Sequence, residues 1–157
     1  FKDKEFRLKN EIKRMTKSYD LIFIDCPPSL SILTVNALAA SDYILIPLQC
    51  EFYSMDGLSK LLKTYNAIKS GLNNKLQILG IVLTMHDKRT VLSNQVKNEI
   101  EKHFPQYALK SVIPRNVKLS EAPSYGIPII HYDPASKGSD SFIDLAKEII
   151  HRLRSKP

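Results

Sequence analysis

The sequence predicts an α/β fold: a mostly parallel sheet, doubly wound, with helices layered on both faces. Two observations lead there. Apolar runs of strand length, at 21–24, 43–48, 76–84 and 107–113, alternate with stretches whose apolar residues recur at helical spacing. The runs are also nearly unbroken, the pattern of strands covered on both sides, as in a parallel sheet.

Each element has its own signal. Phe6, Leu8, Ile12 and Met15 on a charged background predict a helix over residues 2–17. "LIFI" (21–24) then reads as a buried strand. "SLSILTVNALAASD" follows as a helix, with Leu30, Leu33, Leu38 and Ala39 at compatible spacing, and "YILIPL" (43–48) as a second strand. "SMDGLSKLLKTYNAIKSGL" is a helix with Met55, Leu58, Leu61, Leu62, Tyr65 and Ile68 on one face and Gly71 as its C-cap. "LQILGIVLT" (76–84) is a third strand. "VLSNQVKNEIEKHF" is a helix striped by Val91, Leu92, Val96, Ile100 and Phe104. "YALKSVI" (107–113) is a fourth strand. "SDSFIDLAKEIIHRL" closes the chain as a helix striped by Phe142, Leu145, Ile149 and Leu153.

At 157 residues the chain has enough length for one domain with its own core. Hydrophobic residues at 43% and charged residues at 25% are ordinary for a globular protein, and no apolar run reaches the length of a membrane span. The net charge of +7 favours an anionic partner such as nucleic acid or acidic lipid. Cys26 and Cys50 lack metal-site or disulfide spacing and read as small buried hydrophobes in a reducing compartment. The start at Phe1 rather than Met suggests a processed chain or a fragment.

Right-handed crossovers place the C-terminal ends of parallel strands on one edge of a sheet, where ligands bind. The polar residues collect there: Asp25 after the first run, Gln49 and Glu51 after the second, Thr84, His86 and Asp87 after the third, Pro114, Arg115 and Asn116 after the fourth. The plain alternative is that polar residues mark where strands stop. It serves less well for Asp25, set directly against "LIFI". A carboxylate at a strand end is a common holder of Mg²⁺, often through water, beside a nucleotide phosphate. Pro27 and Pro28 then force an extended exit.

Taken together, "YDLIFIDCPPSLSILTVNAL", "IPLQCEFYSMDGLSKLL", "GIVLTMHDKRTVLSNQV", "VIPRNVKLSEAPSYGIPIIHYDPASKGSDSF" and "DLAKEI" resemble, in order, the ParA-type partitioning ATPases of chromosomes and plasmids, in particular the Soj-like members. The resemblance implies a P-loop NTPase-like sheet and makes residues 1–157 the C-terminal part of a single nucleotide-binding domain. It implies Asp25 as the Walker B carboxylate, bound to Mg through water. It places Pro114 and Asn116 against adenine, with Thr84 and Met85 near the base. It implies ATP-driven homodimerisation, nonspecific binding of double-stranded DNA through Arg89 and Arg115 with Lys118 as a helper, and a ParB-type centromere-binding partner. A cytoplasmic, nucleoid-associated place without membrane contact goes with these roles.

Charge supports the DNA expectation independently. From Met85 to Lys118 there are seven Lys and Arg (Lys88, Arg89, Lys97, Lys102, Lys110, Arg115, Lys118) against three acids (Asp87, Glu99, Glu101). Such a face neutralises phosphates without reading bases. Lys97 and Lys102 read as a solvated helix face. His86 and His131, without metal-ligand partners, read as exposed loop histidines. Glu121 reads as structural.

A phosphate cradle of the form G-x-x-x-x-G-K-[ST] does not occur among these residues: the glycines are Gly57, Gly71, Gly80, Gly126 and Gly138. The N-terminal P-loop unit that the resemblance implies is therefore expected outside them, and the chain alone is expected not to hydrolyse ATP. Two other readings stay open: a catalytically inactive module that binds DNA or a partner, and a MinD-like membrane-surface ATPase.

Overall fold

In a computed structural model the described residues are 3–15, 18–27 and 31–155. Three strands, β1 (Tyr43–Gln49), β2 (Gln77–His86) and β3 (Ala108–Pro114), form one sheet in the order β1-β2-β3, with β2 and β3 parallel. The helices are α1 (Arg7–Met15), α2 (Ile32–Ala40), α3 (Ser54–Gly71), α4 (Val91–His103), α5 (Val117–Glu121), α6 (Ile129–Tyr132) and α7 (Lys137–Arg154), with 3₁₀ turns at Lys4–Phe6 and Ala122–Tyr125. The expected α/β architecture is present, with three strands in place of four.

The strand expected at 21–24 does not form. Residues 21–27 have no regular structure, and Leu21 (49%), Ile22 (39%) and Phe23 (75%) are exposed. A strand apolar on both sides needs ladder partners at its edges and cover on its faces. Among the described residues no segment pairs with 21–24.

By their contacts the residues group into two compact units. The first gathers Phe1–Ile44 and Ser59–Gln77. Two buried asparagines tie it together. Asn36 Nδ2 donates to the Lys4 and Ile32 carbonyls (both 2.9 Å), and its Oδ1 accepts from the Leu8 amide (3.3 Å), pinning the N-terminal turn and α1 to α2. Asn73 Nδ2 donates to the carbonyls of Leu38 (3.0 Å) and Ser41 (2.7 Å), satisfying carbonyls at the end of α2. In α3, Tyr65 and Ile68 are buried as the stripe predicts, and the Tyr65 hydroxyl donates to the Leu76 carbonyl (3.2 Å). Leu33 is a miss: it is 65% exposed, and Thr34, Ala37, Leu38 and Ala39 form the inner face of α2.

The second unit gathers Leu45–Leu58 and Ile78–Pro157. The middle of β2 is the core: Ile78 to Leu83 are all buried, Ile81 completely. In α4 the inner face is Ser93, Val96 and Ile100, whereas Val91 is 72% exposed, so the predicted stripe begins one turn late. In α7 Leu145 and Ile149 are buried and Phe142 is not. At Gly80, β2 packs tightly against Leu109 and the residue before β3. A Cβ there would lie 2.9 Å from Leu109 Cγ and 3.2 Å from the Tyr107 carbonyl oxygen. A Gly80→Ala variant is therefore expected to lose about 1–3 kcal/mol in urea unfolding, as overpacked cores do. An unchanged midpoint would show that Leu109 swings aside.

Helix α7 lies along β3 and is bonded to it through two charged side chains. Glu148 Oε1 accepts from the Lys110 amide (2.9 Å) and Oε2 from the Ser111 amide (2.8 Å). Arg152 donates to the carbonyls of Leu79 (3.1 Å), Gln106 (3.4 Å) and Ala108 (2.6 Å), and pairs with Glu148 at 3.4 Å. Two adjacent amides of β3 thus find their acceptor in a helix side chain, within the stretch where the β2–β3 register shifts.

Candidate functional site

In the second unit the three strand ends are stitched together. The Cys50 amide, just past β1, donates to the Thr84 carbonyl (3.1 Å), and the Arg115 amide, just past β3, donates to the His86 carbonyl (3.0 Å). Thr84, Met85, Pro114, Arg115 and Asn116 therefore share one edge, as the strand-end reading expects. Met85 turns the chain there with a φ of 53°, a left-handed conformation uncommon for a side chain of its size.

Asn116 is the N-cap of α5, its Oδ1 accepting from the Lys118 amide (2.8 Å). That bond orients the amide, with its NH₂ group outside the cap. Lys118 does not stand free. Its Nζ lies 2.8 Å from Glu121 Oε2, which also accepts from the Tyr132 hydroxyl (2.9 Å), and the ammonium lies over the Tyr132 ring. Tyr132 stacks on Tyr125. The hydrogen bond that Lys118 donates to Glu121 raises the Lys118 pKa, and Lys118, then Tyr132, lower that of Glu121. Glu121 thus serves structurally, as its sequence context predicts.

Between β2 and α4 the loop carries Asp87 and Arg89. Asp87 binds the Arg89 side chain through both carboxylate oxygens (3.0 and 2.8 Å). These bonds, then one from the Arg89 backbone amide, hold the Asp87 carboxyl well below the usual carboxylate range. Thr90 caps α4, its side chain accepting from the Ser93 amide (3.3 Å). The Arg115 side chain is exposed, and its charge is felt at Asp87, so both arginines belong to this edge. Sequence reasoning placed Arg89 here and missed its partner. The signal was present as D-x-R-T, an aspartate turn leading into a capped helix.

His86 corrects the sequence reading. It is 6% exposed rather than a loop residue, and its Nε2 is buried without a hydrogen-bond partner among the described residues. Burial first, then the charges of Lys97 and Lys88, push its pKa down, with Asp87 opposing. The folded chain disfavours the protonated form of His86, while an unfolded histidine takes a proton near pH 6.5. Its part of the stability is complete above that pH and lost as the pH falls below it. The urea midpoint is expected to be lower at pH 5.5 than at pH 7.5, with a smaller difference in His86→Gln. Equal differences in both proteins would sink that assignment.

Asp25 lies in the first unit, in the segment without regular structure, and is exposed. It is not held at a strand end as expected, because the strand itself does not form. Cys26 is exposed as well, against expectation, while Cys50 is buried. Burial first, then the charge of Asp25, pushes the Cys26 thiol up. Thr84, Met85, Arg89, Pro114, Arg115 and Asn116 thus all belong to the second unit, and Asp25 belongs to the first.

A family model described as an AAA domain matches residues 1–78. The sporulation initiation inhibitor protein Soj of Bacillus subtilis is 53% identical over 146 residues, 93% of this chain and 58% of that protein. The chromosome partitioning protein ParA of Myxococcus xanthus is 49% identical over 150 residues, 96% of this chain and 53% of that protein. The chain thus spans a little over half the length of these curated relatives. Among solved structures, cobyrinic acid a,c-diamide synthase of Mycobacterium smegmatis, with bound ADP and magnesium, superposes with a TM-score of 0.81 at 28% identity, over 99% of this chain and 56% of that one. No helix of the described residues is long and apolar enough to cross a membrane.

Proposed function

Because the chain belongs to the ParA/Soj family of chromosome-partitioning ATPases and spans a little over half the length of its relatives, we propose that it is the C-terminal part of a single ParA-type nucleotide-binding domain, serving chromosome or plasmid segregation. The observation that carries this reading is the edge where Cys50, Thr84, His86 and Arg115 are joined by backbone hydrogen bonds. It supports the reading because Thr84, proposed near the base, and Arg115, proposed for phosphate, both stand at these bonded strand ends.

The residues fit two parts of an Mg–ATP ligand. Pro114, Thr84, Met85 and the NH₂ end of Asn116 suit the flat, acceptor-rich edge of adenine. Asp25 offers one exposed carboxylate, and Mg²⁺ commonly takes one or two from a protein, completing its shell with water and phosphate. When bound, Mg–ATP supplies a cleavable anhydride. The phosphates themselves need a cradle of backbone N–H groups, and none of the five glycines here opens one. The 157 residues by themselves are therefore expected to release no phosphate from ATP above an Asp25→Ala control. Turnover above that control would overturn this division of labour.

Arg89, Arg115 and Lys118 are the proposed phosphate contacts for double-stranded DNA. Fluorescence anisotropy with two unrelated duplexes tests this. Equal affinities that fall steeply with salt support it, and no binding by the chain at low salt overturns it. Homodimerisation with ATP, a ParB-type partner and a cytoplasmic, nucleoid-associated location without membrane contact complete the proposal.

A further inference from the structure

The loop after β2 sets a carboxylate behind a cation. Asp87 Oδ1 accepts from the Arg89 backbone amide and from Nε, both at 3.0 Å, and Oδ2 accepts from a terminal guanidinium nitrogen at 2.8 Å. The Asp87 side chain is 21% exposed and that of Arg89 is 88% exposed. The acid is therefore the inner member of the pair and the guanidinium the outer one. A guanidinium has five N–H donors. Asp87 takes one from Nε and one from a terminal nitrogen, which leaves the three others facing away from it.

The ground under the pair is fixed too. The Thr90 amide donates to the Asp87 carbonyl (3.0 Å), the Asp87 amide to Ser93 Oγ (3.3 Å), and Asn94 Nδ2 to the Lys88 carbonyl (3.0 Å). The carboxylate that grips Arg89 is thereby anchored to the first turn of α4.

We propose that Asp87 is a positioning residue for anion contact: it clamps Arg89 with its remaining donors turned outward toward a backbone phosphate, so that removing this negative charge weakens polyanion binding instead of strengthening it. The proposal rests on the reading of Arg89 as a phosphate contact. Two effects compete. The carboxylate repels the phosphate, but the guanidinium stands between them, and its attraction acts at the shorter distance. Against this, a loose arginine gives up a large rotamer entropy when it binds, and a clamped one has already lost it. The clamp is the larger effect in ordinary salt.

Asp87→Asn keeps an oxygen for the Arg89 amide and removes the charge and the second acceptor. In the 157-residue chain, with a random-sequence duplex as probe, it is expected to weaken binding about two- to fivefold. This would occur although it raises the net charge of +7 by one. In an Arg89→Ala background the same change is expected not to weaken binding. Arg89→Lys, which leaves the Asp87 backbone contacts in place, keeps the charge but cannot accept the two-point grip. It should weaken binding and make Asp87→Asn harmless. Tighter or unchanged binding in Asp87→Asn, or equal weakening with and without Arg89, would overturn the positioning role. Unchanged affinity in Arg89→Ala would instead overturn the reading of Arg89 as a contact.

Discussion

The double variant Arg89→Ala/Arg115→Ala is expected to bind duplex DNA about ten- to sixtyfold more weakly than the unaltered chain near 0.1 M salt. The slope of log affinity against log salt is expected to fall by about two. Each phosphate contact releases close to one counterion, and each arginine is assigned one contact. The two act at one edge: the Arg115 amide is bonded to the last residue of β2, and its side-chain charge reaches Asp87 in the next loop. Each single variant should account for about half of the slope change. The loss should be uniform across duplex sequences, because contacts to phosphate position a protein without reading bases. A double variant with an unaltered slope would rule out this edge as the DNA-binding face.

Replacing Glu148 by Ala is expected to cost about 2–4 kcal/mol in urea unfolding. Its carboxylate is mostly covered (16% exposed) and accepts from two adjacent amides of β3 while pairing with Arg152. The alanine variant leaves two backbone donors without their acceptor and a mostly covered guanidinium without its counter-charge, though with its carbonyl partners. Glutamine should rescue little, since one of its two ends would present a donor to a donor. Burial raises the Glu148 pKa, but the hydrogen bonds from Lys110 and Ser111 and the charge of Arg152 outweigh it, and the net shift is downward. Its contribution is thus present above the ordinary glutamate pKa and lost as the pH falls through the lower folded value. The difference between unaltered and Glu148→Ala chains should therefore shrink in strong acid. A difference below about 0.5 kcal/mol at neutral pH would show that water replaces the carboxylate at the β3 amides.

How much of this was legible in the sequence depends on what each signal measures. The β2 run was legible because burial on both faces leaves one unbroken apolar stretch, and residues 78–83 are buried accordingly. "LIFI" carries the same signal and forms no strand, since apolar character records what a strand needs and not whether a ladder partner is present. The strand-end rule put Thr84, Arg115 and Asn116 on one edge, and their strand ends are bonded there. It could not foresee that Asp87 grips Arg89 or that Glu121 and Tyr132 hold Lys118, because those pairings depend on loop backbone geometry. His86 was misread for a related reason. Past Thr84 the strand continues with one outward residue, Met85, and one inward, so the next side chain turns back into the core. Asp25, the most conspicuous residue of the sequence, is the one whose expected setting did not form.

The bonding of α7 has a mechanical side. Near its C-terminus Arg152 holds the third residue of β2 and the first of β3. Near its N-terminus Gly138 lies so close to α5 that a Cβ there would come within 2.8 Å of Leu119 Cγ. At 18 residues the helix is about 27 Å long and stiff over that distance. It behaves as a strut, hinged on the starting edge of the strands and bearing on the short helix that carries Lys118. Any displacement of α5 by a ligand must either tilt the whole strut, pulling on the Arg152 bonds at its far end, or open the gap at Gly138.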